Sequence, residues 1–340
     1  MSGISDDQRS GKMAYALSIL EKSPIADGES AAQALARTLH LAQQAERWGY
    51  RRFWLAEHHN TPQLACPSPE ILIGYLLGQT SRIRIGSGGV MLQHYSAYKV
   101  AENFNLLAAL APGRVDLGVG KAPGGLPLAT QALQAAHDRQ NKPAFPQQLS
   151  QLTAYLNDDA EPGLSATPLP PHAAQRFLLG ASKESATLAA ESGWAFVFAA
   201  HLNGNPQDIR EALAHYTALS DGRKALLAVA AIVAQSPEQA ATLAADIQQY
   251  RVHVAGEQSV TVGSLAQAES FVQQAGATDY RIEPRESHIL LGTAPQVHQQ
   301  LAQLQQRYDV DEFIIDTPIG EPSARLTSLQ LLAEESLTPA

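Results

Sequence analysis

The chain has a single cysteine, Cys66, in 340 residues, which excludes an internal disulfide and any cysteine-built metal cluster. Charge is scarce, at 17% of residues, and the 24 Lys and Arg are outnumbered by 33 Asp and Glu. The formal charge of −9 therefore argues against nucleic acid or anionic membranes as partners, since both need clustered cations. No apolar run of about 18 residues is present, so no transmembrane helix is expected. Residues Met1 to Lys12 are polar and lack the apolar centre of a signal peptide. They read as a disordered tail before one domain at 13–340, and the protein is expected in the cytoplasm. Three glycine motifs are also missing: a Walker-type phosphate loop, a Gly-x-Gly-x-x-Gly after the first strand, and a Gly-x-Ser-x-Gly elbow. Nucleoside triphosphate, Rossmann and serine-hydrolase readings lose support accordingly.

What is present is an alternation of short β-rich runs with stretches of helical period. The β-rich runs are Met13 to Leu20, Arg52 to Ala56, Ile83 to Gly86, Val115 to Val119, Arg176 to Leu179, Ala195 to Ala199, Ala225 to Val233 and Glu312 to Asp316. Between the first two, Ser30 to Trp48 spaces Leu35, Leu39, Ala42 and Ala45 as one helical face and ends at Gly49. Further helices are expected at Pro69 to Gly78, at Tyr98 to Leu110, between Leu128 and Leu156, at Thr293 to Arg307 and at Pro322 to Glu335. Glu161 to Pro171 carries four prolines and reads as a loop. Val252 to His288 breaks the alternation and is expected to be an insertion with little regular structure, ahead of the last helix–strand unit. Eight β-then-α units predict a single (β/α)8 TIM barrel, because an open doubly wound sheet usually has about five to seven strands. Chemistry should then sit just after the strands.

After the second run comes Glu57-His58-His59. Neighbouring side chains of an extended chain point to opposite faces, so one histidine of the pair is expected to face inward. A structural histidine, a proton-transfer group and a metal ligand are all open on these residues alone. A metal would need further ligands at other strand ends, and His201 is the clear additional candidate. Gly86-Ser87-Gly88-Gly89 follows the third run and Gly118-Val119-Gly120-Lys121 the fourth. Both permit close approach of a flat ligand, and Lys121 is placed to meet a phosphate; a strand bulge and a surface lysine are the plainer alternatives. Gly180-Ala181-Ser182-Lys183-Glu184-Ser185 opens a helix, where Ser182 caps the backbone and the free N–H groups suit a phosphate.

Together these stretches resemble the bacterial luciferase-like flavin-dependent monooxygenase family. The resemblance is carried by Leu55-Ala56-Glu57-His58-His59, Ile85 to Val90, Ala101-Glu102-Asn103-Phe104, Pro112 to Gly118, Gly180-Ala181-Ser182 with Ser185-Ala186, and Asp311 to Ile314. It runs from about Met13 to Glu335 and is weakest between Val252 and Ser287. It implies a barrel that takes reduced FMN from a separate flavin reductase and uses O2 to oxidise a small organic substrate. His58 corresponds to the family's catalytic histidine, and Gly88-Gly89 to the place of a non-proline cis peptide against the flavin ring. Ala181, Ser182 and Ser185 correspond to cofactor and phosphate contacts. Lys121 stands where many members carry arginine, and it lacks the bidentate fork. The loop Gln93 to Ala97 lacks the expected prolines, which leaves His94, Tyr95 and His201 as substrate-side candidates. A homodimer through helices on one side of the barrel is implied, and no metal. The alternatives are a deazaflavin-dependent oxidoreductase and a non-catalytic flavin-binding protein.

Overall fold

Runs such as Phe53-Trp54-Leu55 and Leu227 to Val233 are buried on both faces, as strands of a parallel sheet covered by helices must be. The computed structural model describes residues 15–138, 140–255 and 259–337. The expected tail, Met1 to Lys12, lies outside them. The chain runs β1 (Ala16–Glu21), α1 (Ala31–Arg47), β2 (Arg52–Leu55), α2 (Pro69–Leu77), β3 (Arg84–Ser87), a short β4 (Val90–Met91) and α3 (Ala97–Leu110). It continues through β5 (Val115–Gly120), α4 (Pro127–Leu133), α5 (Phe145–Asn157), β6 (Gln175–Gly180), α6 (Lys183–Glu191), β7 (Ala195–Ala199), α7 (Pro206–Leu219), β8 (Leu226–Val233) and α8 (Pro237–Ala244). An added unit follows: β9 (Gln249–Val254), β10 (Val260–Val262), α9 (Leu265–Ala275) and β11 (Tyr280–Arg285). The chain then closes with β12 (Ile289–Gly292), α10 (Ala294–Tyr308), β13 (Glu312–Asp316) and α11 (Pro322–Leu337).

Strands β1, β2, β3, β5, β6, β7, β8 and β13 pair in parallel and in that order. The ring closes because β13 pairs with both β8 and β1. This is the expected (β/α)8 barrel. Among the described residues, no helix is long and apolar enough to cross a membrane. Leu20, Trp54, Ala56, Phe177, Val197, Ala228 and Ile314 fill the barrel interior, while a larger cluster lies between strands and helices.

The insertion corrects the sequence reading. Residues 249–285 form an antiparallel sheet, in the order β10, β9, β11, with α9 packed on it. Val252, Ala268, Phe271 and Val272 give this unit its own small core. Its strands were hidden because Tyr250, Val252 and Val254 alternate with Gln, Arg and His, and because Pro284 argues against a strand. Pro284 is tolerated since β11 is an edge strand. Ser264 caps α9, and Gly276 ends it at a φ of 63°.

An ionic network seals the amino end of the barrel. Arg52 donates from Nε to Glu312 at 2.8 Å, and from Nη1 to Asp116 at 2.9 Å and Gln175 at 2.8 Å. Asp116 also accepts from Trp54 Nε1 and from Arg84, and Glu312 accepts from the Ser18 hydroxyl. These bonds tie β1, β2, β3, β5, β6 and β13 together. Arg52→Ala would leave the two carboxylates short of a cation, although Arg84 and Arg51 still reach them. The expected loss is about 3 kcal/mol, the low end for breaking a buried pair. It should be read as a lower midpoint in urea unfolding, and an unchanged midpoint would refute the network's role.

Candidate active site

Side chains alternate along a strand, so residues two beyond an inward-facing one enter the next layer of the barrel mouth. Counting from the interior cluster, Leu20 leads to Lys22, Ala56 to His58, Val197 through Ala199 to His201, and Ile314 to Asp316. The backbone places them: His201 N–H donates to the Ala228 carbonyl of β8, continuing the pairing with that strand, and His58 N–H donates to the Cys66 carbonyl in the loop that follows β2. Lys22 Nζ donates to Asp316 Oδ2 at 2.7 Å. Nδ1 of His58 and Nδ1 of His201 are buried without a hydrogen-bond partner. The polar side of the mouth thus belongs to β1, β2, β7 and β13.

The other side, over β3, β5 and β6, is built from small residues. The Gly88–Gly89 peptide is cis. A Cβ on Gly88 would meet Leu20 Cδ1 at 2.9 Å, and one on Gly89 would meet the Gly118 carbonyl oxygen at 3.0 Å. A side chain at Gly88 would have to displace the end of Leu20, and one at Gly89 would press on the β5 backbone. Gly180 lies so close to Ser185 that only glycine fits there. That approach brings the β6 end against the start of α6. There the Ser182 hydroxyl accepts from Ser185 N at 3.2 Å and lies 3.2 Å from the Ser185 hydroxyl. Ala181 is half-buried beside them, and Lys121 is exposed in the loop after β5. A planar group with an anionic tail fits this cradle, because the helix start offers hydroxyls and the positive end of its dipole.

The remaining nominated residues fall into a second cluster. Glu57 is fully buried and accepts from His59 Nε2 at 2.6 Å, from the Tyr95 hydroxyl at 2.6 Å and from Met91 N at 2.9 Å. His94 contacts the Pro123 carbonyl through Nε2 at 2.7 Å and Gln134 through Nδ1 at 2.9 Å. The structure therefore groups His94 and Tyr95 with His59, and groups His201 with His58. His58 and His59 do point different ways. Sequence reasoning passed over Lys22 and Asp316, and gave Glu57 a place only within the Glu57-His58-His59 run. The available signal was a charged residue at or just beyond the end of an apolar strand. A cavity of about 560 Å³ opens at the opposite end of the barrel, lined by Arg51, Arg52, Arg176, Arg223 and Lys224. Each of these cations already holds a carboxylate or a carbonyl, so that end is structural.

Neutral histidines over a cradle of small residues, on the carboxyl face of a closed barrel, define a barrel enzyme whose chemistry sits at the strand ends. The chain belongs to the luciferase-like monooxygenase family, whose model matches residues 13–310, and is thus an oxidoreductase of the monooxygenase type. It is 43% identical over 329 residues to the N-acetyl-S-alkylcysteine monooxygenase of Bacillus subtilis strain 168, covering 94% of this chain and 98% of that one. Among solved structures, apo-MsnO8 is 32% identical with a TM-score of 0.77, over 96% of this chain and 100% of its own. The oxygenating constituent of 3,6-diketocamphane monooxygenase from Pseudomonas putida, solved with FMN, is 15% identical with a TM-score of 0.68. It covers 95% of this chain and 98% of its own, a likeness of fold alone.

Burial pushes His58 down to about 4, helped by the Lys22 charge and opposed by Asp316. Burial likewise pushes His201 down to about 4, here opposed by Asp316 and helped by Lys22. Both are neutral at physiological pH. Since each folded value lies below the unfolded one of 6.5, the unfolded chain binds protons first as pH falls. These groups leave stability unchanged above about pH 6.5, and stability is lost between about 6.5 and 4. Urea midpoints should fall across that window and fall less steeply in His201→Gln. Equal slopes would show that His201 is not held neutral.

Proposed function

We propose that the chain is an FMN-dependent monooxygenase that receives reduced FMN from a separate flavin reductase and oxygenates a small thioether of the N-acyl-S-alkylcysteine kind. The observation that carries the proposal is His58 Nδ1, buried and unbonded, facing the same mouth as the cradle of Gly88, Gly89 and Ala181. The flavin ring would lie against that cradle. Its phosphate would be held by Ser182, Ser185 and the α6 N-terminus, with the Lys121 ammonium as counter-charge. When bound, reduced flavin supplies two electrons to O2, so that one oxygen atom enters the substrate and the other leaves as water. The chain's own part is positional and protic. His58, kept neutral by burial, takes or returns a proton at Nδ1, and the apolar barrel interior beneath it excludes water. The substrate class follows the 43% identical relative.

Anaerobic titration with reduced FMN, then mixing with oxygenated buffer and N-acetyl-S-methylcysteine, tests this reading. Saturable binding and substrate-dependent O2 uptake are expected. His58→Ala should bind reduced FMN nearly normally and turn over about 10² to 10⁴ more slowly, the scale of a lost acid–base group. Uptake of a reduced deazaflavin in place of FMN would move the chain to hydride transfer. Flavin binding with no turnover would make it a binding protein.

The same reading includes a homodimer. Ile71 and Tyr75 on α2, and Leu106 and Leu110 on α3, are exposed at 72%, 55%, 49% and 70%, an apolar patch on two packed helices. Each pair is four residues apart and so shares one helix face. Light scattering should give a dimer for the native chain and a monomer for the doubly substituted Ile71→Asp, Leu110→Asp. A native monomer would overturn this assignment.

A further inference from the structure

The ion pair in the mouth is less complete than its neighbour. One residue earlier on β1, Glu21 points the other way, toward α11. There Arg325 Nη1 lies 2.8 Å from its Oε2, and Ser23 N donates to its Oε1. Arg325 also donates from Nε to the Thr317 carbonyl, so that pair is embedded in structure. Lys22 and Asp316, by contrast, have only each other among the described residues: a single hydrogen bond at 2.7 Å. An ammonium has three N–H donors and a carboxylate accepts at both oxygens, so donors and acceptors are left over. The Lys22 side chain is 29% exposed and that of Asp316 7%, so the ammonium reaches the surface of the mouth while the carboxylate is buried at its edge. Charges there are costly to desolvate, and a lone pair of this kind adds little net stability. Its value lies in the groups it leaves free.

Lys22 follows β1, which pairs with β13 and with β2, so the pair stands on the same rim of the mouth as His58, and its charges bear on both histidines. Burial pushes Asp316 up, but Lys22 and His201 outweigh it and hold the carboxyl below its usual range. At neutral pH the pair therefore offers a cationic donor and an anionic acceptor side by side. A complementary ligand end carries an anionic acceptor and an N–H donor on adjacent atoms.

We infer that Lys22 and Asp316 form a two-point subsite for an N-acylamino carboxylate, Lys22 donating to the ligand carboxylate and Asp316 accepting from its amide N–H. This names the residues that select the thioether substrate proposed above, and it rests on that reading. It makes Lys22 and Asp316 specificity-determining residues, while proton transfer stays with His58. The sulfur end of the ligand is left to the small-residue side of the mouth.

The test is calorimetric binding of N-acetyl-S-methylcysteine, its methyl ester and 3-(methylthio)propionate, which lacks the amide, to the chain with and without oxidised FMN. The free acid should bind about ten- to hundredfold more tightly than the ester, the worth of a charge-assisted hydrogen bond. K22M should erase that gap by weakening the acid alone. D316A, which removes the acceptor that an asparagine would keep, should erase the preference for the N-acetyl compound over the propionate. Normal uptake of reduced FMN by both variants is expected and shows that the fold is intact. Equal binding of acid and ester by the native chain, or a gap that survives in K22M, overturns the subsite. Failure of the native chain to take up reduced FMN would instead sink the monooxygenase reading, and the acid–ester comparison on the flavin-free chain would still decide the subsite.

Discussion

Everything at the mouth depends on the register of eight parallel strands, because a shift of one residue exchanges every inward side chain for an outward one. On β1 that exchange would be costly. Glu21 faces Arg325 of α11 and Lys22 faces Asp316 of β13. A one-residue slip would set Lys22 against Arg325 and Glu21 against Asp316, replacing two attractions with two repulsions. At the far end of the same strand, Ser18 is tied to Glu312, which Arg52 shares with Asp116. Successive residues of opposite charge therefore fix the strand at its carboxyl end, and the Ser18 hydroxyl ties its amino end. The positions of His58 and His201 follow from the resulting ring.

Burial then sets the chemistry. With an apolar layer of Leu20, Trp54, Ala56 and Val197 below, an imidazolium at His58 would be poorly solvated, and the opposing charges of Lys22 and Asp316 do not offset this, so the ring stays neutral. The adjacent histidine shows how much one step along the chain matters. His59 turns to the buried Glu57 carboxylate, which also gathers Tyr95 and the Met91 N–H and so pins the segment after β4 against the β2 end. One histidine of the pair holds the loop, leaving the other unbonded in the mouth.

The barrel and its rim were legible in the sequence because strand runs and glycine clusters are local signals. Leu55 to His59 and Gly180 to Ser185 each carry their meaning within a few residues. The Lys22–Asp316 pair was not legible, since its members lie 294 positions apart and meet only when the barrel closes. His94 and Tyr95 were nominated from their loop, yet their polar atoms are taken up by Pro123, Gln134 and Glu57, contacts that depend on how two loops fold over each other. The insertion was misread for a related reason. Its strands are short and half-exposed, and its core of Val252, Phe271 and Val272 forms only when sheet and helix meet.

The two sides of the mouth differ in how freely they can change. On the cradle side a Cβ at Gly180 would collide with Ser185, and one at Gly88 or Gly89 would be tightly crowded by Leu20 and by the β5 backbone. Substitution there displaces strands, and whatever binds against them is lost with the geometry. On the polar side, Lys22 and Asp316 are side chains that reach toward each other from strands paired independently of them. Exchanging them removes one of the contacts that hold the register of β1 but leaves its backbone pairings with β2 and β13 in place. In a fold of this design the cradle side is constrained by its packing while the polar side is free to vary. An architecture can be shared at 15% identity, and such a likeness says nothing about the molecule a site acts on.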